Sequence, residues 1–520
     1  MAVSWAASRW VARGLAVGFG AVVVAAFPEP ALWWWAWVAL VPVLVLVSTS
    51  PSWGEAALRA WLAGAGFTAA FYHWLATQGV LLLVVVAALL GLLWVPVGVV
   101  AHRLLRDRPA PRRLGLAVAV VPAVWVLTEA VRSVPVLGGP WAVLGLTQWN
   151  APLLGGSAAL GGVWLLGLLV VAVNVALTAV VAPPGGGRGA RLVGATGAAA
   201  LLGVAALGGW AALGGGARAE PASSQSQVVR VALVQPGDIA DPAERLTAHA
   251  ALTAEVGRID GADLVVWGQS SVTGDPAQQP AVEAVLRRAA VDAGVDVLVN
   301  GKAGNPAAPS NTSWLYTPEG AQATYHKRLL VPFGEYLPWR PVLGWLKSLT
   351  PAPDLDRVPG SQPVAMRSAG ITIGPLISYE SAFPGLRREL ARLGVDLTVV
   401  QGSLGTFQGS WLHAQQAAIE AVRAVEIGRP AVLGAMSGTS AAFDARGRLL
   451  LWEPHQVTGA FVVTVPLVGI DTPYVRVGDW ALWVAAAVVA CTAGAAVLRR
   501  VTRHRVPRGD QSSQNRSTST

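Results

Sequence analysis

The sequence predicts a multi-span α-helical membrane bundle joined to one exported α/β domain. Three observations carry that reading. Hydrophobic residue types make up 53% of the 520 residues and charged types only 13%, against roughly 25% charged in an ordinary soluble domain. Apolar runs long enough to cross a bilayer, which takes about 20 helical residues, recur through residues 1–215 and return once near the C-terminus. Between them, residues 225–470 alternate β-branched runs with amphipathic stretches, the pattern of a layered α/β domain. A mean hydropathy of +0.51 excludes a disordered or collagen-like chain and a simple soluble enzyme. The net charge of +9 is first a question of which side of a membrane the basic residues occupy, and no nucleic-acid partner is inferred from it.

The expected spans are residues 11–27, 31–48, 57–77, 79–102, 114–131, 156–181 and 192–213, a seven-helix region within 1–215, with an eighth over 477–499. Open sheet edges cannot face lipid, so each run is read as a helix. Arg9 and Arg13 precede the first run as they would in a signal peptide, but further spans follow and the segment is read as a retained helix. The short connections carry Arg9, Arg13, Arg59, Arg103, Arg106, Arg108, Arg112, Arg113, Arg188 and Arg191 on one side, and up to residue 155 only Arg132 on the other. The positive-inside rule then puts both termini inside a bacterial-type cytoplasmic membrane and the α/β domain on its outer face. Residues 216–224 read as a linker and 500–520 as a disordered basic tail. The one cysteine, Cys491, lies in the last apolar run. No intrachain disulfide is possible, and a thiol in lipid is a poor nucleophile.

Within 225–470 the elements follow in order. Val228–Val234 is a β-branched run, Ala243–Ile259 a helix, and Asp263–Trp267 a short buried strand. Pro280–Ala293 is a helix and Val295–Asn300 a strand; Ser313–Tyr316 and Ala323–His326 form a hairpin around Pro318-Glu319-Gly320. Ile371–Tyr379 is a strand, Leu386–Leu393 a helix and Val395–Val400 a strand. Trp411–Ile427 is an amphipathic helix with Leu412, Ile419, Val422 and Val425 inward, and strands Ala431–Met436 and Ser440–Phe443 follow.

Three strand ends hold the residues that could do chemistry. They are Trp267-Gly268-Gln269-Ser270-Ser271, Lys327 through Pro338, and Ser378-Tyr379-Glu380-Ser381. Strand C-terminal ends in an α/β sheet converge on a cleft, so the three are expected to share one pocket. Lys327 is one of only three lysines, with Lys302 and Lys347, in a chain that otherwise uses arginine. That choice suits a site needing a compact ammonium rather than a guanidinium fork, or else marks a solvated surface lysine. No His, Cys, Asp or Glu spacing suggests a metal site, and no cofactor is expected. His413 sits on the amphipathic helix and reads as structural, and Gly185–Gly187 lacks the strand–loop–helix context of a phosphate loop.

The block K-R-L-L-V-P-F-G-E-Y-L-P over 327–338, with R-A-V-E-I-G-R-P over 423–430, resembles the apolipoprotein N-acyltransferases, membrane members of the carbon-nitrogen hydrolase (nitrilase) superfamily. The resemblance covers nearly the whole chain. It implies a nitrilase-like α-β-β-α sandwich for the exported domain. It also implies a mechanism: a glutamate base activates a cysteine, the thiolate takes an acyl chain from a phospholipid, a lysine stabilises the oxyanion, and the chain passes to the N-terminal amine of a diacylglyceryl-cysteine lipoprotein. The implied partners are a phospholipid donor and a lipoprotein acceptor.

Two of the three catalytic positions depart from that pattern. Gln269 stands where the resemblance implies the glutamate, and Ser378 where it implies the cysteine; Lys327 matches. An amide is no base at neutral pH, and a serine hydroxyl needs a base more than a thiol does. Losing a general base costs about 10²–10⁴ in rate, so the usual thioester route is excluded. Two readings remain. In one, Ser378 transfers acyl groups with Lys327 or Glu335 as base. In the other, the near-isosteric pair Ser378 and Gln269 preserves a pocket in an inactive relative that binds lipid or lipoprotein, or scaffolds another lipid-pathway enzyme, without chemistry of its own. Hydrolysis of small nitriles or amides also wants the missing thiol. The resemblance implies substrate-binding positions for Trp267, Tyr379 and Glu380; Tyr379 and Glu380 would also orient the nucleophile loop, or else supply core packing and a surface charge. Trp339 and Trp345, in the apolar segment after Glu335, are expected to dip into lipid as a lid, or else to pack internally.

Overall fold

The computed structural model describes residues 8–107, 109–181, 188–213, 227–259, 261–304, 308–350 and 352–505. The expected linker at 216–224, Gly185–Gly187, Arg108 and the tail from 506 onward lie outside the described residues.

Six helical stretches among the described residues are long and apolar enough to cross a membrane: Arg9–Ala26, Val80–Leu105, Pro111–Arg132, Ala158–Val181, Arg191–Ala212 and Trp480–Arg499. The eight expected runs are therefore not equivalent. The second is a shorter apolar stretch, Trp33–Ser48, broken between a 3₁₀ turn and the helix Val41–Ser48. The third is the helix Trp53–Phe71, which starts earlier than its apolar pattern because Ser52 caps it, accepting from Glu55 N at 3.3 Å. That helix carries Glu55 and Arg59 inside the bundle, where Glu55 pairs with Arg59 at 3.1 Å and with Arg13 of the first helix at 2.8 Å. Pairing is what lets these charges be buried. The last helix continues to Arg505, past the expected boundary at 499.

The α/β domain is two six-stranded sheets packed face to face between helices. The first sheet has the order β12-β1-β2-β3-β4-β5, with β1 Val228–Gln235, β2 Leu264–Trp267, β3 Asp296–Ala303, β4 Ser310–Thr317, β5 Gly320–His326 and β12 Gly459–Pro466. The second has the order β11-β10-β9-β8-β7-β6, with β6 Met366–Ser368, β7 Ile371–Ile377, β8 Leu397–Gly402, β9 Ala431–Ala435, β10 Ser440–Phe443 and β11 Leu449–Glu453. Val231, Leu233, Val266 and Leu298 of the first sheet meet Ile373, Ile377, Val399 and Val432 of the second in one apolar core. The outer faces are covered by Pro242–Ile259 and Pro280–Ala293 on one side and by Pro384–Arg392 and Leu412–Ile427 on the other. This is the α-β-β-α sandwich expected. Strands β6, β11 and β12 were not anticipated from the sequence, although the run at β12 has the β-branched composition that pairs well with β1.

The domain sits on the bundle through a polar joint. The helix Ala158–Val181 breaks at Gly161 and Gly162, the latter at φ +68°, where a Cβ would stand 2.6 Å from the Tyr474 ring. The break frees Val163 N to donate to Glu426 Oε1 at 2.7 Å, and Glu426 is itself paired with buried Arg423. The 423–430 block thus makes a structural joint.

Candidate active site

The strand expected over 371–379 ends at Ile377, because Ser378 adopts φ +51° and opens a 3₁₀ turn over Ser378–Ala382. A non-glycine residue in that conformation costs on the order of 1–3 kcal/mol and persists only where neighbours enforce it. Glu380 does the enforcing. Its Oε2 accepts from Ile377 N at 2.8 Å, while its Oε1 accepts from Arg328 N at 2.7 Å, Leu329 N at 3.1 Å and the Tyr325 hydroxyl at 2.8 Å. One fully buried carboxylate therefore ties the Ser378 turn to the segment that follows Lys327. Burial pushes its carboxyl up, against the pull of Lys327 and the backbone N–H groups.

Lys327 is completely buried, and its Nζ lies 2.8 Å from Glu335 Oε2. Its N–H groups have no other acceptor among the described residues. Glu335 Oε2 also accepts from Val331 N at 2.9 Å, and Oε1 accepts from Asn311 Nδ2 at 3.2 Å and from Arg357. Burial raises the Glu335 carboxyl, but Lys327 and Arg357 outweigh it and hold it below the ordinary glutamate range, so Glu335 is ionised.

Gln269 lies just past β2. Its backbone N donates to Gly402 O at 3.0 Å, and at Gly268 an added Cβ would stand 2.1 Å from Met436 N, so this crossing between the sheets admits only glycine. The side chains of Gln269 and Ser378 are half-buried and make no hydrogen bond within the described residues.

Two residues that sequence reasoning missed connect these pieces. Gln401, paired in register with Ile377, donates from Nε2 to Trp267 O at 2.8 Å and Leu298 O at 3.2 Å, and accepts from Ser313. It joins the end of β7 to the end of β2. Asn300 accepts from Ser270 N at 2.9 Å and donates to Asn311 Oδ1 at 3.0 Å, and Asn311 reaches Glu335. Their signal was a polar amide closing an apolar strand run, at Val399-Val400-Gln401 and Leu298-Val299-Asn300. Through these contacts Gln269, Lys327, Glu335 and Ser378 stand at one end of the sandwich. Positive φ at Ser270, Phe333 and Trp339 as well as at Ser378 concentrates backbone strain around it.

The remaining expected residues divide. Trp267 is wholly buried, its Nε1 donating to Thr253 at 2.8 Å and its ring tilted against His249, so it presents nothing to a pocket. Tyr379 donates to Pro135 O of the membrane region at 2.8 Å, and so docks the turn on the bundle. Trp339 and Trp345 are 64% and 66% exposed beside exposed Val342, consistent with an outward-facing arm. Among the described residues no group of three or more His, Cys, Asp or Glu could hold a metal ion.

The chain matches two family models, the apolipoprotein N-acyltransferase N-terminal domain over residues 19–176 and carbon-nitrogen hydrolase over 230–472. It is 30% identical to an apolipoprotein N-acyltransferase of Azotobacter vinelandii, over 96% of this chain and 98% of that one. It is 31% identical to one of Pseudomonas putida, over 94% and 98%. Among solved structures, an amidase from Nesterenkonia sp. aligns with 49% of this chain and 94% of its own, at 21% identity and a TM-score of 0.36.

Proposed function

The chain belongs to the apolipoprotein N-acyltransferase family, and from that premise we propose that it moves an acyl chain from a phospholipid to the N-terminal amine of a diacylglyceryl-cysteine lipoprotein, with Ser378 as nucleophile. The Ser378 hydroxyl adds to an ester carbonyl of the phospholipid. The lysophospholipid leaves as an alcohol carrying the serine's proton, and an acyl-serine ester remains. The lipoprotein amine then attacks that ester, an amide forms, and serine regains its proton. Lys327 donates to the oxyanion in both halves.

One observation carries this reading: the hydroxyl of Ser378 stands on a positive-φ turn that Glu380 clamps to the segment bearing Lys327. Of the two bases the sequence offers, the contacts favour Glu335. Lys327 rests against an ionised carboxylate and would forfeit that contact as a free amine. The domain is outside, with both termini inside. Five of the six long apolar helices precede residue 227. Counting the shorter stretch at 33–48 and the helix at 53–71 as a further hairpin leaves the number of crossings odd.

A second reading has its own support. Both Glu335 oxygens are already engaged, by Lys327, Val331 N, Asn311 and Arg357. A base so occupied is weak, which favours a relative that holds lipid or lipoprotein without turnover. The deciding experiment expresses the protein in cells lacking lipoprotein N-acylation and weighs a lipoprotein N-terminal peptide. A gain of one acyl chain that vanishes in Ser378→Ala supports the serine route. No gain, with transfer appearing in Gln269→Glu combined with Ser378→Cys, supports the binding role.

A further inference from the structure

We propose that Arg132, Tyr72 and Trp74 form a phosphate site at the outer end of the bundle, which holds the phosphodiester of a bound phospholipid beside the Ser378 turn. The inference rests on the orientation in the proposed function but not on turnover.

Arg132 is the one arginine that the short connections place on the outer side before residue 155. A basic residue there runs against the charge bias of membrane proteins. It ends the helix Pro111–Arg132 and is only 5% exposed. Its Nη2 donates to Ala142 O at 2.5 Å, and its Nε has no acceptor among the described residues. Glu129, one turn back, lies 3.8 Å from Nη2, but its Oε1 accepts from Leu144 N at 2.8 Å and a Cβ at Gly167 would approach its Oε2 to 3.4 Å. Its Oε2 has no hydrogen-bond partner among the described residues, so the carboxylate shares the Arg132 charge at 3.8 Å without bonding the Arg132 Nε or the donors beside it.

Those donors are two. Tyr72 is 6% exposed and packs edge-on against Phe71, whose ring stacks on the Phe67 ring that the Arg132 guanidinium covers at 5.9 Å, and its hydroxyl has no partner among the described residues. Trp74, edge-on to Tyr72 with ring centroids 5.6 Å apart, has a buried indole N–H that also lacks an acceptor. A guanidinium, a phenol and an indole, each with a donor unmet, are complementary to an oxyanion. Buried donors left unmatched are destabilising, and a bound phosphate would relieve that cost.

The position suits a lipid. Tyr379, the neighbour of Ser378, bonds Pro135 O three residues beyond Arg132 and lies near Tyr72. Trp74 packs edge-on against Phe407 of the α/β domain at 4.8 Å. A phosphate held here is flanked by apolar helices below and the Ser378 turn above. A phospholipid's phosphate and ester carbonyls, a few bonds apart, have that same disposition.

The test uses the full chain in nanodiscs and reads binding of a short-chain phosphatidylglycerol by tryptophan fluorescence. A chain-matched diacylglycerol and inorganic phosphate serve as comparison probes. The expected result is that Arg132→Gln weakens phosphatidylglycerol about tenfold or more while changing diacylglycerol less than about twofold, that Tyr72→Phe shifts binding in the same direction by less, and that Arg132→Lys recovers part of the loss. Millimolar inorganic phosphate should displace the lipid weakly. Unchanged headgroup preference in both Arg132→Gln and Tyr72→Phe overturns the site. Equal loss of both lipids also overturns it, since that reports only damaged packing. Displacement by micromolar phosphate assigns the site to a free anion and overturns the lipid assignment. If Arg132→Gln does not fold, Tyr72→Phe and Trp74→Phe, which delete one polar group each, decide by the same criteria. Failure of acyl transfer with headgroup preference intact removes the transfer reading and leaves this site standing.

Discussion

Lys327 and Glu335 show how much a single pair can determine. The lysine is completely enclosed, and Glu335 is the carboxylate in contact with its charge, with Glu380 also within its pull. Glu335→Gln would leave it without that charge and should destabilise the protein by about 3–5 kcal/mol at neutral pH, read as a lowered denaturation midpoint in nanodiscs. The sign with pH follows from the depressed carboxyl. Its contribution is fully present above the ordinary glutamate value of 4.5 and disappears as pH falls through the lower folded value. The stability gap between the two proteins should therefore be flat near neutrality and close in acid; a gap that persists unchanged in acid would contradict the ion pair. Lys327, Ser378 and Gln269 were legible because each stands in a recognisable block. Gln401, Asn300 and Arg357 were not, because a buried amide or a distant arginine acquires meaning only once the chain brings its partner near.

At the scale of elements, the arm after Glu335 contains the clearest mismatch between composition and setting. Trp339, Val342 and Trp345 are large apolar side chains that the fold leaves exposed. In a soluble protein such a patch would be an aggregation liability, whereas at a membrane it is an anchor. In nanodiscs, brominated acyl chains should quench part of the protein's indole fluorescence, and Trp339→Ser with Trp345→Ser should remove a measurable share of that quenching. An unchanged quenched fraction would mean the arm stays in water. The sequence located most elements of the sandwich to within a few residues. It misjudged the end of β7, where Glu380 pulls Ser378 out of the strand, and missed β6, β11 and β12. Edge strands such as β6 and β11 have weak periodicity of their own and are defined by the neighbour they pair with.

For the whole molecule, the proposed orientation, with an odd number of crossings before the α/β domain, would let a lipid and an exported amine meet. With Cys491 replaced by Ala, a cysteine at exposed Gln322 on β5 should react with an impermeant maleimide in intact cells, and one at exposed Arg106 only after permeabilisation. The opposite pattern would reverse the orientation. Hydropathy and charge bias by themselves determined that this is a multi-span membrane protein with a layered α/β domain, because both are sums over many residues and tolerate local error. Only the tertiary structure decided which of the apolar runs are full-length helices, that Arg423 and Glu426 form a joint to the bundle, that Trp267 is core, and that Arg132 ends as an incompletely matched cation under the Ser378 turn. Those are questions of which distant groups satisfy one another's hydrogen bonds and charges, and the order of residues along a chain does not specify that until the chain has folded.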